Sequence, residues 1–183
     1  MRLEKITHQE ILKSKPTVTQ IRSRKRLPVL TMFENIRSRA NVGAMFRTSD
    51  AALVGSVFLG GTTPHPPHKE IDKTALGAAD VVPWQACRDV PDQLRRLKSQ
   101  GVSMVALELT HQSVPYDAFA YSFPVCLVVG NEVDGISQAA LDCCDHAVSI
   151  SMLGRANSLN VASAYAVAVF EILRQYKAHL RNL

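Results

Sequence analysis

The chain has 183 residues, 46% of them hydrophobic and 20% charged, with a formal net charge of +5. That balance fits one domain with a substantial core and excludes a disordered polymer, a fibrous repeat and a disulfide-stapled scaffold. No run approaches the roughly 20 apolar residues of a membrane span, and the charged opening MRLEKITHQEILKSK lacks a leader's apolar core. A cytoplasmic protein with no membrane partner is expected.

Residues 1–27 read as a basic extension. Thr7 and Glu10 have the spacing of a capping box and predict a short helix over about 8–14, followed by a loop to Pro28. Arg22, Arg24, Lys25 and Arg26 crowd together there. A solvated surface cluster and a phosphate-contacting arm both fit them, and the mild positive net charge favours a polyanionic partner. Arg39 and Arg155 join them as candidate contacts to such a partner.

From Pro28 onward, short apolar runs alternate with helical patterns. Strands are predicted near 29–33, 56–59, 81–84, 102–107, 125–129 and 147–150, and helices near 42–53, 69–78, 91–99, 137–144 and 159–179. The alternation predicts an α/β fold over 28–183, a mostly parallel six-stranded sheet with helices on both faces. Ligands in such sheets bind beyond the carboxyl ends of the strands, which marks loops 34–41, 60–68, 108–115, 130–136 and 151–158.

Several chemistries are excluded along the way. The chain has no phosphate-cradling G-x-x-x-x-G-K-[ST] loop, no G-x-G-x-x-G after a strand and no G-x-S-x-G elbow. His65 and His68 have metal-like spacing but no completing ligands, so no metal is expected. Cys87, Cys126, Cys143 and Cys144 read as reduced, largely buried thiols.

Three stretches carry the candidate chemistry. In ENIRSRANVGAMFRTSDA, Asn41 is a candidate helix cap, Gly43 lets another segment approach closely, and Arg47 lies nearly two turns further along. In CLVVGNEVDGIS a strand runs into Gly130, Glu132 and Gly135, which reads either as backbone bare enough for a flat ligand or as a plain strand-to-helix turn with Ser137 as the helix cap. In GRANSLNVASAYAVAVFEIL, Asn157, Ser158 and Asn160 surround a helix start, where capping and ligand binding are both served.

Together these stretches resemble the motifs of the SpoU or TrmH branch of the SPOUT RNA methyltransferases. The first motif reads Asn41, Gly43, Arg47, Thr48; the second Gly130, Glu132, Gly135; the third Ile150, Ser151, Met152 and SLNVA from Ser158. DKTALGAADVVPW is similar to the segment between the family's first two motifs, so the likeness spans roughly residues 28–176. Ser151 stands where the family usually has proline.

The resemblance implies a deep trefoil knot in the carboxyl-terminal half, S-adenosylmethionine as cofactor, and methylation of a ribose 2′-hydroxyl of tRNA or rRNA by a homodimer. It implies that Leu107, Gly130, Ile150, Met152, Ser158 and Leu159 line the cofactor pocket. It assigns Asn41, Arg47, Glu132, Ser158 and Asn160 to catalysis, with Arg47 serving the cofactor of the other protomer. An arginine is almost never neutral, so Arg47 suits alkoxide stabilisation and phosphate anchoring better than proton removal. The rivals are a catalytically silent RNA-binding protein on the same fold and a knotted tRNA base methyltransferase.

Overall fold

The computed structural model describes residues 3–181. Two short helices precede the sheet, α1 (His8–Ser14) and α2 (Val18–Arg22). α1 has the expected capping box, the Glu10 carboxylate accepting from the Thr7 N–H at 2.7 Å. α2 replaces part of the expected loop, because Thr17 and Gln20 form the same reciprocal cap. Neither helix buries a residue, so each depends on its local caps.

The extension is tied to the body by two of its arginines. Arg22 donates to the Asp80 carbonyl at 2.7 Å, and the half-buried Arg26 bridges the carbonyls of Val54 and Val81. Arg24 and Lys25 are exposed.

The body then runs β1 (Val29–Glu34), α3 (Arg39–Ala51), β2 (Ser56–Gly60), α4 (Lys69–Ala75), a 3-10 turn (Ala78–Asp80) and β3 (Trp84–Cys87). It continues with α5 (Val90–Ser99), β4 (Ser103–Leu107), β5 (Val114–Pro115), β6 (Val125–Val129), α6 (Gln138–Leu141), β7 (His146–Ser149) and α7 (Val161–Arg181). The sheet order is β3-β2-β1-β6-β4-β7-β5, and every pairing is parallel.

The sheet has seven strands, not the expected six. The extra one, β5, is two residues long and pairs Val114 with Val148, too short to show any period in sequence. β3 lies at 84–87 rather than 81–84. Val82 turns into the core, the Pro83 carbonyl accepts from the Val57 N–H at 2.9 Å, and the ladder proper begins at Trp84.

Alternate residues of the central strands feed two cores, as a pleated sheet covered on both faces requires. Phe33, Leu127 and Val129 pack with α3, α4 and α7; Met32, Cys126 and Val128 pack with α5 and α6. Gly43 is needed where α3 meets α4, because a Cβ there would collide with the Thr74 hydroxyl and the Ile71 carbonyl. The close approach expected at Gly43 is thus helix on helix.

The two histidines with metal-like spacing have other partners. His65 stacks on Trp84 with centroids 6.0 Å apart, and His68 Nδ1 accepts from the Glu70 N–H at the start of α4. All four cysteines are free thiols. No described helix is long and apolar enough to cross a membrane.

β6 sits between β1 and β4, although the chain leaves β1 for β2 and β3 first. The carboxyl ends of β1, β6, β4 and β7 therefore lie side by side, where the order of a parallel sheet reverses. Glu34, Gly130, Glu108 and Ile150 stand at or just past those ends.

Candidate active site

A cleft of about 880 Å³ opens at these strand ends, toward the upper part of the range for small-molecule sites. All six residues expected to line a cofactor pocket, Leu107, Gly130, Ile150, Met152, Ser158 and Leu159, line this one cleft. Glu132 and Asn160 line it too. Its ionisable lining is Glu108, Glu132 and Asp134, with no lysine, arginine or histidine among the described residues, so the cleft suits a ligand bearing positive charge.

The loop after β6 builds one wall. Asn131 and Gly135 exchange backbone hydrogen bonds of 3.0 and 3.1 Å. The Asn131 side-chain oxygen accepts from the N–H groups of Val133 and Asp134 at 2.8 and 3.1 Å, and its amide donates to the Asn35 carbonyl at 2.8 Å. A Cβ on Gly130 would collide with the backbone of Gly135 and Ile136. The bare backbone read from the sequence as room for a ligand is required first by the loop folding onto itself.

Glu132 joins this loop to the start of α3. Its carboxylate accepts from the Arg37 N–H at 2.9 Å, the Ser38 N–H at 3.0 Å and the Asn41 amide at 2.8 Å. Partial burial pushes the Glu132 pKa up, but the hydrogen bonds from Arg37, Asn41 and Ser38 outweigh it and hold the pKa below the usual carboxylate value. The group is thus kept anionic as an acceptor.

Asn41 does not cap its helix. The cap is Ser38, whose hydroxyl accepts from the Asn41 N–H at 3.3 Å, because α3 starts at Arg39, earlier than its apolar periodicity suggests. That leaves the Asn41 side chain free to link two loops. It donates to Glu132, and its oxygen accepts from the Asn160 amide at 3.2 Å.

Asn160 supplies the helix start that the sequence suggested. Its side-chain oxygen accepts from the Ala162 N–H at 3.0 Å and the Ser163 N–H at 3.4 Å, capping α7. Glu132, Asn41 and Asn160, some 120 residues apart at the extremes, thus form one continuous hydrogen-bonded chain beside the cleft. Ser158 lies exposed on the cleft wall.

Arg47 is elsewhere. It is exposed on α3 and lines a separate cavity of about 550 Å³ with Thr48, Lys73, Leu76 and Phe170. Leu76 is 61% exposed and Phe170 48%, so two large apolar side chains flank the arginine. Of the basic candidates, Arg39 forms a 3.6 Å ion pair with Glu70, and Arg155 is exposed between the cleft-lining Gly154 and Ala156. Arg22 and Arg26 hold the carbonyls already described.

Sequence reasoning missed Ser38, Asn131 and Glu108. Ser38 was legible as a Ser three residues before Asn41, and Asn131 as an Asx-turn residue inside the marked loop. Glu108 was legible only as the first residue of the marked loop 108–115.

The SpoU rRNA methylase family model matches residues 28–170. The chain is 33% identical over 150 residues to the 23S rRNA (guanosine-2′-O-)-methyltransferase RlmB of Vibrio parahaemolyticus, over 81% of this chain and 60% of that protein. It is 33% identical over 152 residues to the tRNA (guanosine(18)-2′-O)-methyltransferase of Escherichia coli, over 82% of this chain and 66% of that protein. The matched chain therefore spans less than two thirds of either relative.

Two solved structures share the fold. The A. aeolicus TrmH/SpoU tRNA modifying enzyme superposes with a TM-score of 0.80 at 26% identity, covering 93% of this chain and 85% of that one. An AdoMet-bound rRNA methyltransferase from Sinorhizobium meliloti superposes with a TM-score of 0.76 at 29% identity, covering 85% and 60%.

Proposed function

The chain belongs to the SpoU rRNA methylase family, and on that premise we propose that it methylates a ribose 2′-hydroxyl of tRNA or rRNA with S-adenosylmethionine as methyl donor. The observation that carries this reading is the convergence of the loops after β4, β6 and β7 on one cleft beside the Glu132–Asn41–Asn160 chain.

The residues present suit the donor. Leu107, Ile150, Met152 and Leu159 offer apolar surface to an adenosyl group, and the carboxylate lining complements a cationic ligand. When bound, a sulfonium donor supplies an activated methyl group. The chain's own residues must then hold the acceptor oxygen in line with it, and positioning of that kind lowers a barrier by several kcal/mol. Ser158 and Asn160 hold the acceptor sugar. Glu132 fixes Asn41, and Asn41 fixes Asn160, so the polar side of the site is set before RNA arrives.

Arg47 stabilises the developing alkoxide as a permanent cation and anchors an RNA phosphate, which takes up the proton that the 2′-hydroxyl loses as the methyl group passes from sulfur to oxygen. Its position outside the cleft supports the second part of the proposal, a homodimer in which Arg47 of one protomer completes the site of the other. The exposed Leu76 and Phe170 beside it offer apolar surface for that contact. The same reading includes the deep trefoil knot implied by the motifs. Its support is that loops from strands not adjacent in sequence wall one cleft, with β6 inserted between β1 and β4.

Relatives acting on guanosine make a guanosine ribose the first acceptor to test. The test is incubation of the protein with total cellular RNA and methyl-labelled S-adenosylmethionine, followed by alkaline hydrolysis. Label in alkali-stable dinucleotides is expected, since a 2′-O-methyl group blocks cleavage. Label in mononucleotides instead establishes base methylation, and unlabelled RNA leaves a silent binding protein.

A further inference from the structure

Glu108 is the one ionisable residue of the cleft that no motif accounts for and whose side chain is held in place by two separate segments. Its N–H continues the β4 ladder one residue, donating to the Val148 carbonyl at 2.9 Å. One carboxylate oxygen accepts from the Leu109 N–H at 3.0 Å and the other from the Ile136 N–H at 2.9 Å. Gly135, at φ +69°, makes room for it, since a Cβ there would stand 2.5 Å from the Glu108 oxygen. The loop after β6 is therefore folded around this carboxylate.

A structural brace alone has no need to border a ligand cavity, yet Glu108 stands at the wall of the cleft beside Leu107, between it and an adjoining cavity of about 740 Å³. A carboxylate has about four lone-pair sites, and two backbone donors leave roughly two of them open. The carboxylates of Glu132 and Asp134 differ from it: Glu132 already accepts three donors, and Asp134 is on an exposed turn. In parallel sheets, an acidic residue just past a strand end is well placed to accept from the hydroxyls of a bound nucleoside.

We propose that Glu108 is a specificity residue for the methyl donor, its carboxylate accepting hydrogen bonds from the 2′- and 3′-hydroxyls of the adenosyl ribose. This rests on the methyl-donor reading of the cleft. It assigns the cleft near β4 to the donor's sugar and leaves the Asn160 side to the acceptor.

The test is calorimetric binding of S-adenosylhomocysteine and of its 2′,3′-dideoxy analogue to the full chain and to Glu108→Gln. Wild type should prefer the hydroxylated ligand by about tenfold or more, the size expected of charge-assisted hydrogen bonds. Glu108→Gln should compress that preference to within about threefold, mainly by weakening the hydroxylated ligand. If both ligands weaken equally and the preference survives, Glu108 is a brace and the inference is overturned. Should Glu108→Gln fail to fold, wild type decides alone, since equal affinity for the two ligands overturns the inference. Wild type binding neither ligand overturns the donor reading and this inference with it.

Discussion

The cleft and the Arg47 face are built on opposite plans. The polar groups of the cleft find partners within the chain: Glu132 with Asn41, Asn41 with Asn160, Asn160 with the backbone at the start of α7, Glu108 with the Ile136 N–H. The Arg47 face presents a cation, a lysine and two exposed apolar side chains around a shallow cavity. The contrast fits the proposed reading, in which the chain preorganises its own donor cleft and Arg47 serves the site of a partner protomer.

The largest effect is expected from Arg47→Ala, which removes the permanent cation of the second face. Methylation should fall by roughly 10²- to 10⁴-fold, the range for losing a positioned charge or proton-transfer group, with donor affinity changed less than about twofold. A parallel loss of donor affinity in calorimetry would merge the two regions into one. Mixing Arg47→Ala with a Leu159→Ala chain sharpens the point, because a composite site predicts activity recovered in the heterodimer and a self-contained site predicts none.

Gly130→Ala attacks the other side. Its Cβ has no space against Gly135 and Ile136, so the loop must shift, at a cost of about 1–3 kcal/mol. Donor affinity should fall by roughly 5- to 150-fold, the size of that cost, while RNA binding, measured by filter binding, is retained. Donor affinity near wild type would show that the loop's fold does not govern the cleft.

Asn160 separates cap from link. Asn160→Ala should lose about 1 kcal/mol of helix capping, seen as a midpoint lowered by roughly 2–4 °C. Asn160→Ser retains a capping oxygen, so its melting point should stay close to wild type while methylation still falls, because the amide that reaches Asn41 is gone. Equal melting points for the two variants would remove the cap from this account.

Glu132 adds a pH dependence with a definite sign. Its pKa is depressed in the folded chain, so its stabilisation is complete above the unfolded value of about 4.3 and drains away as pH falls through the lower folded value. The difference in thermal midpoint between wild type and Glu132→Gln should therefore be flat from pH 5 to 8 and close only in more acidic solution. A gap that closes near neutrality would contradict the hydrogen-bond pattern.

The smallest effects belong to the amino-terminal segment. Neutralising the exposed Arg24 and Lys25 should lower the salt slope of RNA binding by about 1 per residue and leave stability unchanged. Arg26→Gln should instead lower the thermal midpoint, since its guanidinium holds two backbone carbonyls. If Arg24 and Lys25 variants bind RNA with an unaltered salt slope, the extension plays no part in affinity.

Much of this was legible in the chain. Apolar runs of four to six residues separated by helical patterns pointed to the parallel sheet, because strands buried on both faces are continuously apolar, as β6 is. The caps at Thr7 and Ser137 and the closeness at Gly43 followed from local chemistry. β5, α2 and the position of β3 did not. Two-residue pairing and short capped turns have no period, and the Val81–Val82 pair has strand propensity but is drawn into the core next to a 3-10 turn.

Periodicity and bonds between near neighbours were enough to give the layered α/β class and to mark the loops that wall the cleft with the residue types they hold. Three-dimensional packing was needed for Glu132 to meet Asn41, for Asn41 to meet Asn160, and for Glu108 but not Arg47 to line the cleft. Those outcomes depend on strand order. Placing β6 between β1 and β4 brings together loops about 100 residues apart, and no local pattern encodes which strand end will lie beside which.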